Sequence, residues 1–388
     1  MHLKRLSLTN FRNYARQEME FAPGPVLLLG ENAQGKTNLL EAVALLATGR
    51  SDRADSDADY IAWGMRGDAQ PFARVVGVAQ RAGRDVSVEL AVIGRPGAHD
   101  RLLASKRFKL NGVAKRASDV IGALTAVLFT TDDMELVKGT PSGRRRYLDV
   151  MLSQADHVYL RALQRYTKVV TQRNALLKRV QEGASRRDEL AYWDEELARD
   201  GATLLAGRAA AVAALAEGAA EAHASLSGQR ERFALAYLPR FSDDWPPERI
   251  AGASQDELFA ALLERLRASH GRDVAAGLTL TGPHRDDLAM TLGGESASAF
   301  ASRGQQRTAA LALRLAEARL LYERTGERPV LLLDDVLSEL DEGRRASVLA
   351  AIAADQVLIT SPDPDRFDAA YVASAQLWRI EAGAAVRA

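Results

Sequence analysis

Between positions 30 and 37 the chain reads Gly30-Glu31-Asn32-Ala33-Gln34-Gly35-Lys36-Thr37. Two glycines bracket four residues and hand on to a lysine and a hydroxyl. Glycines let the backbone curl, so that successive N–H groups and the positive end of a following helix can surround a β-phosphate. Lys36 can then reach β and γ oxygens, and the Thr37 hydroxyl can ligate Mg2+ beside them. The chemistry this pattern serves is the binding of ATP with Mg2+. Far downstream, Val330-Leu331-Leu332-Leu333-Asp334-Asp335 ends four apolar residues on two carboxylates. A buried strand that delivers an acid at its carboxyl end is how such a fold aims a group at the metal. Asp334 is the candidate for Mg2+, directly or through water. Asp335 is the candidate to orient or deprotonate an attacking water.

A third element lies just upstream of the acids. Ser302-Arg303-Gly304-Gln305-Gln306 opens a helix expected over 305–324. Ser302, Gly304 and Gln305 at a helix start offer a hydroxyl, backbone donors and a positive dipole end to an anion, although an ordinary N-cap has the same appearance. Ser338-Glu339-Leu340-Asp341 follows the acids directly.

Cations form two groups. Arg144, Arg145 and Arg146 follow Thr140-Pro141, a suitable cap and first helical position. Three cations in a first turn oppose the helix dipole, which makes sense if a carboxylate or a phosphate meets them. Downstream, Arg161, Arg165 and Lys168, then Arg173, Lys178, Arg179, Arg186 and Arg187, have little acid among them. Such a face is suited to DNA phosphates. Lys106, Arg107 and Lys109 make a second, weaker candidate. Few aromatic residues interleave these cations, so a duplex or junction backbone is favoured over stacked bases.

Alternating and helical patterns suggest what positions these groups. An apolar run at 26–29 predicts a buried strand before the phosphate loop. From Lys36 a helical face of Leu39, Leu40, Val43 and Leu46 runs to Gly49, a stop. Residues 75–78 and 86–93 read as sheet, and Asn111-Gly112 as a hairpin turn. From about 140 the chain becomes Ala-, Leu- and Arg-rich, with helices expected at 154–182 and 188–226 and a break at Gly183 and Ser185. These predict a short antiparallel helical arm. Strands are expected at 278–280, 287–292, 330–333 and 357–360, with a helix at 344–353. The expected division is 1–120 and 276–388 as one α/β head, with 121–275 an inserted helical lobe.

The 388 residues carry 51 Lys+Arg against 51 Asp+Glu, so only local patches can argue for nucleic acid. Cysteine is absent, which removes disulfides and thiolate metal sites and fits a reducing cytoplasm. The six histidines have no ligand-like spacing. No run approaches the roughly 20 apolar residues expected of a membrane span.

The order GENAQGKT, long insertion, SRGQQ, LLLDD, SELD resembles the SMC-like branch of ABC-type ATPases. Within it, NFRNY at 10–14, GENAQGKTNLLEA at 30–42, ATGRSDR at 47–53, VKGTPSGRRRYLD at 137–149, TGPHRDDL at 281–288 and SRGQQR are similar to the RecF family. The resemblance implies an ABC-type head in which the Ser302 signature of one copy closes on ATP held by another. It further implies a cytoplasmic, weak DNA-stimulated ATPase that dimerises with ATP and binds DNA at gaps or single-strand/double-strand junctions. RecR, RecO and the RecA recombinase are the implied partners, with a link to the SOS response. Two positions depart from the wider ABC pattern. Asp335 stands where glutamate is usual, and Thr360-Ser361 where a switch histidine is usual. Gln70 and Gln80 are both candidates for the Q-loop glutamine. The basic insertion disfavours a transporter subunit and its shortness a long-armed SMC or RecN-like protein. A small-substrate kinase would have no use for the signature.

Overall fold

The computed structural model describes residues 1–97 and 102–388, in two compact units: Met1–Asp133 with Glu317–Ala388, and Met134–Ala316. The first holds two six-stranded sheets. One is antiparallel, in the order β2 (Tyr14–Glu20), β1 (His2–Phe11), β4 (Phe72–Arg81), β5 (Arg84–Pro96), β6 (Leu102–Leu110) and β7 (Val113–Lys115). The other runs β15 (Ala384–Arg387), β14 (Gln376–Glu381), β3 (Pro25–Leu29), β13 (Val357–Ser361), β12 (Val330–Asp334) and β8 (Ala126–Thr130), parallel throughout except for β15.

Helix α1 (Lys36–Thr48) is apolar nearly all round because it lies between the sheets. Leu39, Leu40, Val43 and Leu46 share one core with Leu6, Leu8, Val75 and Leu90 of the antiparallel sheet and with Val26, Leu28, Leu332 and Leu358 of the parallel one. Gly49 ends the helix in the left-handed conformation, donating to the Leu45 carbonyl. Asn111 and Gly112, both at positive φ, make the turn from β6 to β7. Helices α10 (Glu342–Ala351) and α11 (Ala369–Ser374) complete the unit.

The second unit holds a small antiparallel sheet, β9 (Phe233–Leu238), β10 (Asp287–Leu292) and β11 (Glu295–Ser296), with α2 (Met134–Lys138), α3 (Pro141–Ala155), α4 (His157–Gln181), α5 (Leu190–Ser227), α6 (Pro247–Gly252), α7 (Gln255–Ala276) and α8 (Ala297–Phe300). The boundary after residue 316 falls inside α9 (Arg303–Thr325). These divisions differ from the expected 120/121 and 275/276. β8 pairs in parallel with β12 and so belongs to the head, while β10 pairs with β9 and stays with the helices.

Helices α4 and α5 are antiparallel, as expected: Arg165 meets Asp200 and Arg173 meets Asp194, one chain rising as the other falls. They are not an isolated arm. α7 also packs on α5, and its Asp273 joins the other side of Arg173. Arg173 is therefore not part of a solvated basic face. Its side chain is 0% exposed and bonds Asp194 at 2.9 Å, Asp273 at 2.7 Å and the Thr279 hydroxyl at 2.9 Å. The same cluster explains why 278–280 is not a strand. Thr279 turns inward to Arg173 and Asn174, which leaves Leu278 and Leu280 exposed.

By length and composition alone, residues 187–227 would suffice to cross a membrane, against the expectation that no segment would. Half of its most apolar 18-residue window is buried within the protein, and along the same helix Arg208 pairs with Asp149 and Asp286.

Removing one member of a buried charge cluster strands the others. Arg173→Ala should destabilise the protein by about 3–5 kcal/mol. Loss of a cooperative transition, or a large drop in the helical unit's melting temperature by calorimetry, is the expected result. Arg173→Ala melting like the wild type would show that the carboxylates need no partner.

Candidate nucleotide-binding site

The phosphate loop joins β3 to α1, and the two acids leave β12. One strand, β13, lies between them. Register sets Ser361 beside Leu29 and Thr360 beside Asp334, so three strand ends meet at one place. There the Thr37 hydroxyl donates to Asp334 Oδ1 at 2.9 Å, and the Thr360 hydroxyl donates to the same oxygen at 3.0 Å. Thr360 Oγ1 also accepts from the Asp335 backbone N–H at 2.9 Å. Asp335 itself is left-handed, with φ 55, and its carbonyl accepts from the Ser338 hydroxyl at 2.7 Å. This turn ends the strand after the first acid and separates the directions of the two carboxylates.

Burial pushes the Asp334 carboxyl above its usual range, while the hydrogen bonds from Thr37 and Thr360 oppose that rise. Burial likewise pulls the Lys36 ammonium below its ordinary value, against the attraction of Asp335 and Asp334. Lys36 Nζ donates to the Gly30 carbonyl at 2.5 Å and the Glu31 carbonyl at 2.8 Å, folded back over the loop it serves. A divalent cation fits the donor set. A hydroxyl and a carboxylate lie within 3 Å of each other, and Asp335 Oδ1 is buried with no hydrogen-bond partner among the described residues. No cluster of three or more His, Cys, Asp or Glu able to hold a metal occurs among the described residues. Thr37 and Asp334 would supply the one or two protein oxygens that Mg2+ takes where phosphate and water complete its shell.

The loop is held from both ends of the chain. Asn13 Nδ2 donates to the Gln34 carbonyl at 2.9 Å and the Tyr14 hydroxyl to the Gly35 carbonyl at 3.0 Å. From the β14–β15 turn, Ala382 N–H donates to Gln34 Oε1 at 2.7 Å and Gly383 N–H to the Gln34 carbonyl at 3.1 Å. A Cβ on Gly30 would collide with the Ile380 carbonyl, and one on Gly35 would strike the side chains of Asn13 and Tyr14. Arg12 grips the buried Glu41 of α1 with Nε at 2.9 Å and Nη2 at 2.6 Å. Sequence reasoning gave Asn13, Tyr14 and the 382–383 turn no role. The only signal for the first two was the NFRNY motif.

The signature segment lies in the other unit. Ser302 and Gln305 cap α9 reciprocally: Gln305 N–H donates to Ser302 Oγ at 3.3 Å and Ser302 N–H to Gln305 Oε1 at 2.6 Å. Ser302 is exposed, and Gln305 Nε2 donates to Glu231. The N-cap reading therefore holds for the free chain, with Gly304 in the first turn.

The proposed DNA-facing cations fare unevenly. Arg144 is buried and bonds Asp287 at 2.6 and 3.0 Å, so the anion that meets it is a carboxylate. Arg145 donates to the Asp286 carbonyl at 2.7 Å. Arg146 also has an interaction within the protein. Arg165 is exposed but bonds Asp200 at 2.6 Å; Arg161 and Lys168 lie exposed on α4. Lys106 pairs with Asp57 and Lys109 with Glu89, whereas Arg107 is exposed.

Thr360 touches both acids. Hydrogen bonds to charged groups are worth about 1.5–3 kcal/mol, so Thr360→Val should weaken Mg2+-dependent nucleotide binding roughly tenfold or more. Binding of metal-free nucleotide should change little, and Thr360→Ser should behave as wild type. Titration of a fluorescent nucleotide with and without Mg2+ checks this; equal losses in both conditions would assign Thr360 to packing alone.

Three comparisons place this geometry. The family described as RecF/RecN/SMC N terminal domain matches residues 2–381. Proteins named DNA replication and repair protein RecF from Chloroflexus aurantiacus and Roseiflexus castenholzii are each 43% identical, with 99% of this chain and 99% of theirs covered. Among solved structures, the recombination mediator protein RecF with ATP in the RecFOR pathway is 32% identical with a TM-score of 0.86, covering 100% of this chain and 97% of that one. An Smc head domain from Pyrococcus furiosus, at 17% identity and a TM-score of 0.54 over 100% and 96% of the two chains, shares the fold. A phosphate loop, a tandem-acid strand and a capped signature segment thus coincide with full-length similarity, and the chain belongs to the RecF family of DNA replication and repair proteins.

Proposed function

We propose that the chain is an ATP-operated, DNA-binding switch of recombinational repair in which two copies enclose two nucleotides. The observation that carries this reading is the 2.9 Å bond between Thr37 and Asp334, which joins the phosphate loop to the acid strand across 297 residues of sequence. In it, the N–H groups of residues 30–37 and Lys36 hold the β- and γ-phosphates of ATP. Thr37 and Asp334 hold Mg2+, which when bound draws charge from the β/γ oxygens. Asp335 orients the attacking water and accepts its proton. Ser302, Gly304 and Gln305 of one copy meet the γ-phosphate of the nucleotide on the other, which pulls two copies together around ATP.

Turnover is slow. Asp335 is one methylene shorter than the usual glutamate, and Thr360 brings a hydroxyl, with no cationic sensor, to the γ-phosphate side of the sheet. Hydrolysis then resets the dimer. By family likeness its place is the cytoplasm, on gapped DNA or single-strand/double-strand junctions, where it assists RecR and RecO in loading RecA and supports replication restart and the SOS response.

Sedimentation should show dimers with ATP for the wild type and none for Lys36→Met; equal dimerisation would remove the phosphate loop from the mechanism. Hydrolysis should run well below about 10 per second, the median enzyme rate. Asp335→Asn should keep the ATP-bound dimer and lose turnover. The shared site has a sharper test in mixtures of Lys36→Met and Ser302→Arg. A two-fold interface leaves each mixed dimer with one intact site of two. With random assortment, mixing should restore about a quarter of wild-type hydrolysis, because half the dimers are mixed. Neither activity nor dimers on mixing two folded variants would refute the composite site.

A further inference from the structure

The helical cations that the sequence offered to DNA are largely engaged with carboxylates and carbonyls. The open face of the antiparallel sheet carries a different set. Cross-strand partners in a sheet point to the same side, and successive residues along a strand to opposite sides. Leu8, Val75, Leu90 and Phe108 are register partners across four strands, and all are buried in the core. The adjacent row therefore faces outward. It reads Arg16, Thr9, Arg74, Ala91, Arg107 on β2, β1, β4, β5 and β6.

We propose that this row is a binding site for a nucleic-acid phosphate backbone, a placement that rests on the DNA-binding reading above. Arginines stand on every second strand, and the small Thr9 and Ala91 between them leave the long side chains unobstructed. With strands about 4.8 Å apart, the arginines are spaced at about 10 Å. At a rise of about 3.4 Å per nucleotide along one strand, that spacing meets every third phosphate.

Arg16 and Arg107 are exposed and have no ion-pair partner among the described residues. Arg74 is 47% exposed and shares Glu89 with Lys109. The acids of this face stand to one side of the row. Glu18 lies 3.8 Å from Arg5, Asp85 holds Lys4 at 2.9 Å, Glu20 pairs in register with Arg5, and Glu89 is engaged as described. On the other side the row Phe72, Ile93, Ser105 carries no charge. An approaching polyanion thus meets cations with neutral surface on one side and, on the other, the carboxylates of Glu18 and Glu89, each already beside a cation. The arginines are spaced to meet phosphates, which carry no sequence information, so the contact is with the backbone.

The test compares Arg16→Ala/Arg107→Ala with the wild type, using full-length protein and a fluorescent gapped duplex across a range of salt. Both residues are exposed, and melting temperature and nucleotide binding should match the wild type. Each phosphate contact contributes about 0.9 to the slope of log K against log salt, so the double variant's slope should be shallower by about two, with at least tenfold weaker binding near 0.1 M salt. Arg161→Ala/Lys168→Ala should leave the slope unchanged. Wild-type binding with an unaltered slope in the sheet variant would overturn this placement while the DNA reading stands. A wild type that binds no DNA at any salt would overturn both. Loss of binding to phosphatidylglycerol vesicles, with DNA binding intact, would assign the row to a membrane surface and overturn the proposal.

Discussion

One oxygen atom, Oδ1 of Asp334, receives a hydroxyl from Thr37 at the start of α1 and another from Thr360 at the end of β13. Those two bonds tie together three segments far apart in sequence. They form only because β13 lies between β3 and β12 in a parallel sheet, so that all three strands end on the same side. The sheet in turn needs α1 against one face, and α1 needs the antiparallel sheet to cover its other side, since its apolar surface nearly encircles it. Burial disfavours the ionised Asp334, and the two hydroxyls are what oppose that cost at the atom where a cation would bind.

A loop whose N–H groups must converge on phosphate has few internal hydrogen bonds of its own, so its shape is set from outside. The Gln34 and Gly35 carbonyls point away from the phosphate side and are taken up by Asn13, Tyr14 and Gly383. This is why the first and last strands of the chain belong to the site although neither carries a nucleotide-directed group. It also explains why Gly30 and Gly35 tolerate no side chain. Their neighbours are the backbone at Ile380 and the very residues that brace the loop.

Much of this was legible locally. The loop, the acid strand, the hairpin at Asn111-Gly112 and the stop at Gly49 each follow from residue types at fixed spacing, and each stands where that spacing sets it. Other features had local signals that went unread. Ser254-Gln255-Asp256-Glu257 before an apolar helix is a capping box and marks the start of α7. The run at Ala126–Thr130 is apolar enough for a buried strand. What no local pattern could supply is the choice of partner. Arg144 and Arg173 look like surface cations in sequence, and Asp287 and Asp273, 143 and 100 residues away, decide otherwise. Alternation at 278–280 misled for the same reason, because Thr279 is wanted inside by a charged cluster that only tertiary packing assembles.

The balance of 51 cations against 51 anions therefore says little about where an anionic ligand would bind. In the helical unit, cations are drawn inward: Arg173 and Arg208 are nearly or wholly buried, and Arg144 is closed by Asp287. Such groups contribute to the specificity of packing and are lost to external electrostatics. On an antiparallel sheet with one face in the core, the geometry works the other way. Alternation sends every second residue outward, and a long side chain there can pair only with neighbours in its own or adjacent rows. Arg16 beside Thr9 and Arg107 beside Ala91 keep their charges available, whereas Arg74 between those two small residues is engaged by Glu89. A row of this kind leaves no trace in a linear count of Lys and Arg, because Arg16, Arg74 and Arg107 are scattered over ninety residues and become neighbours only through strand register.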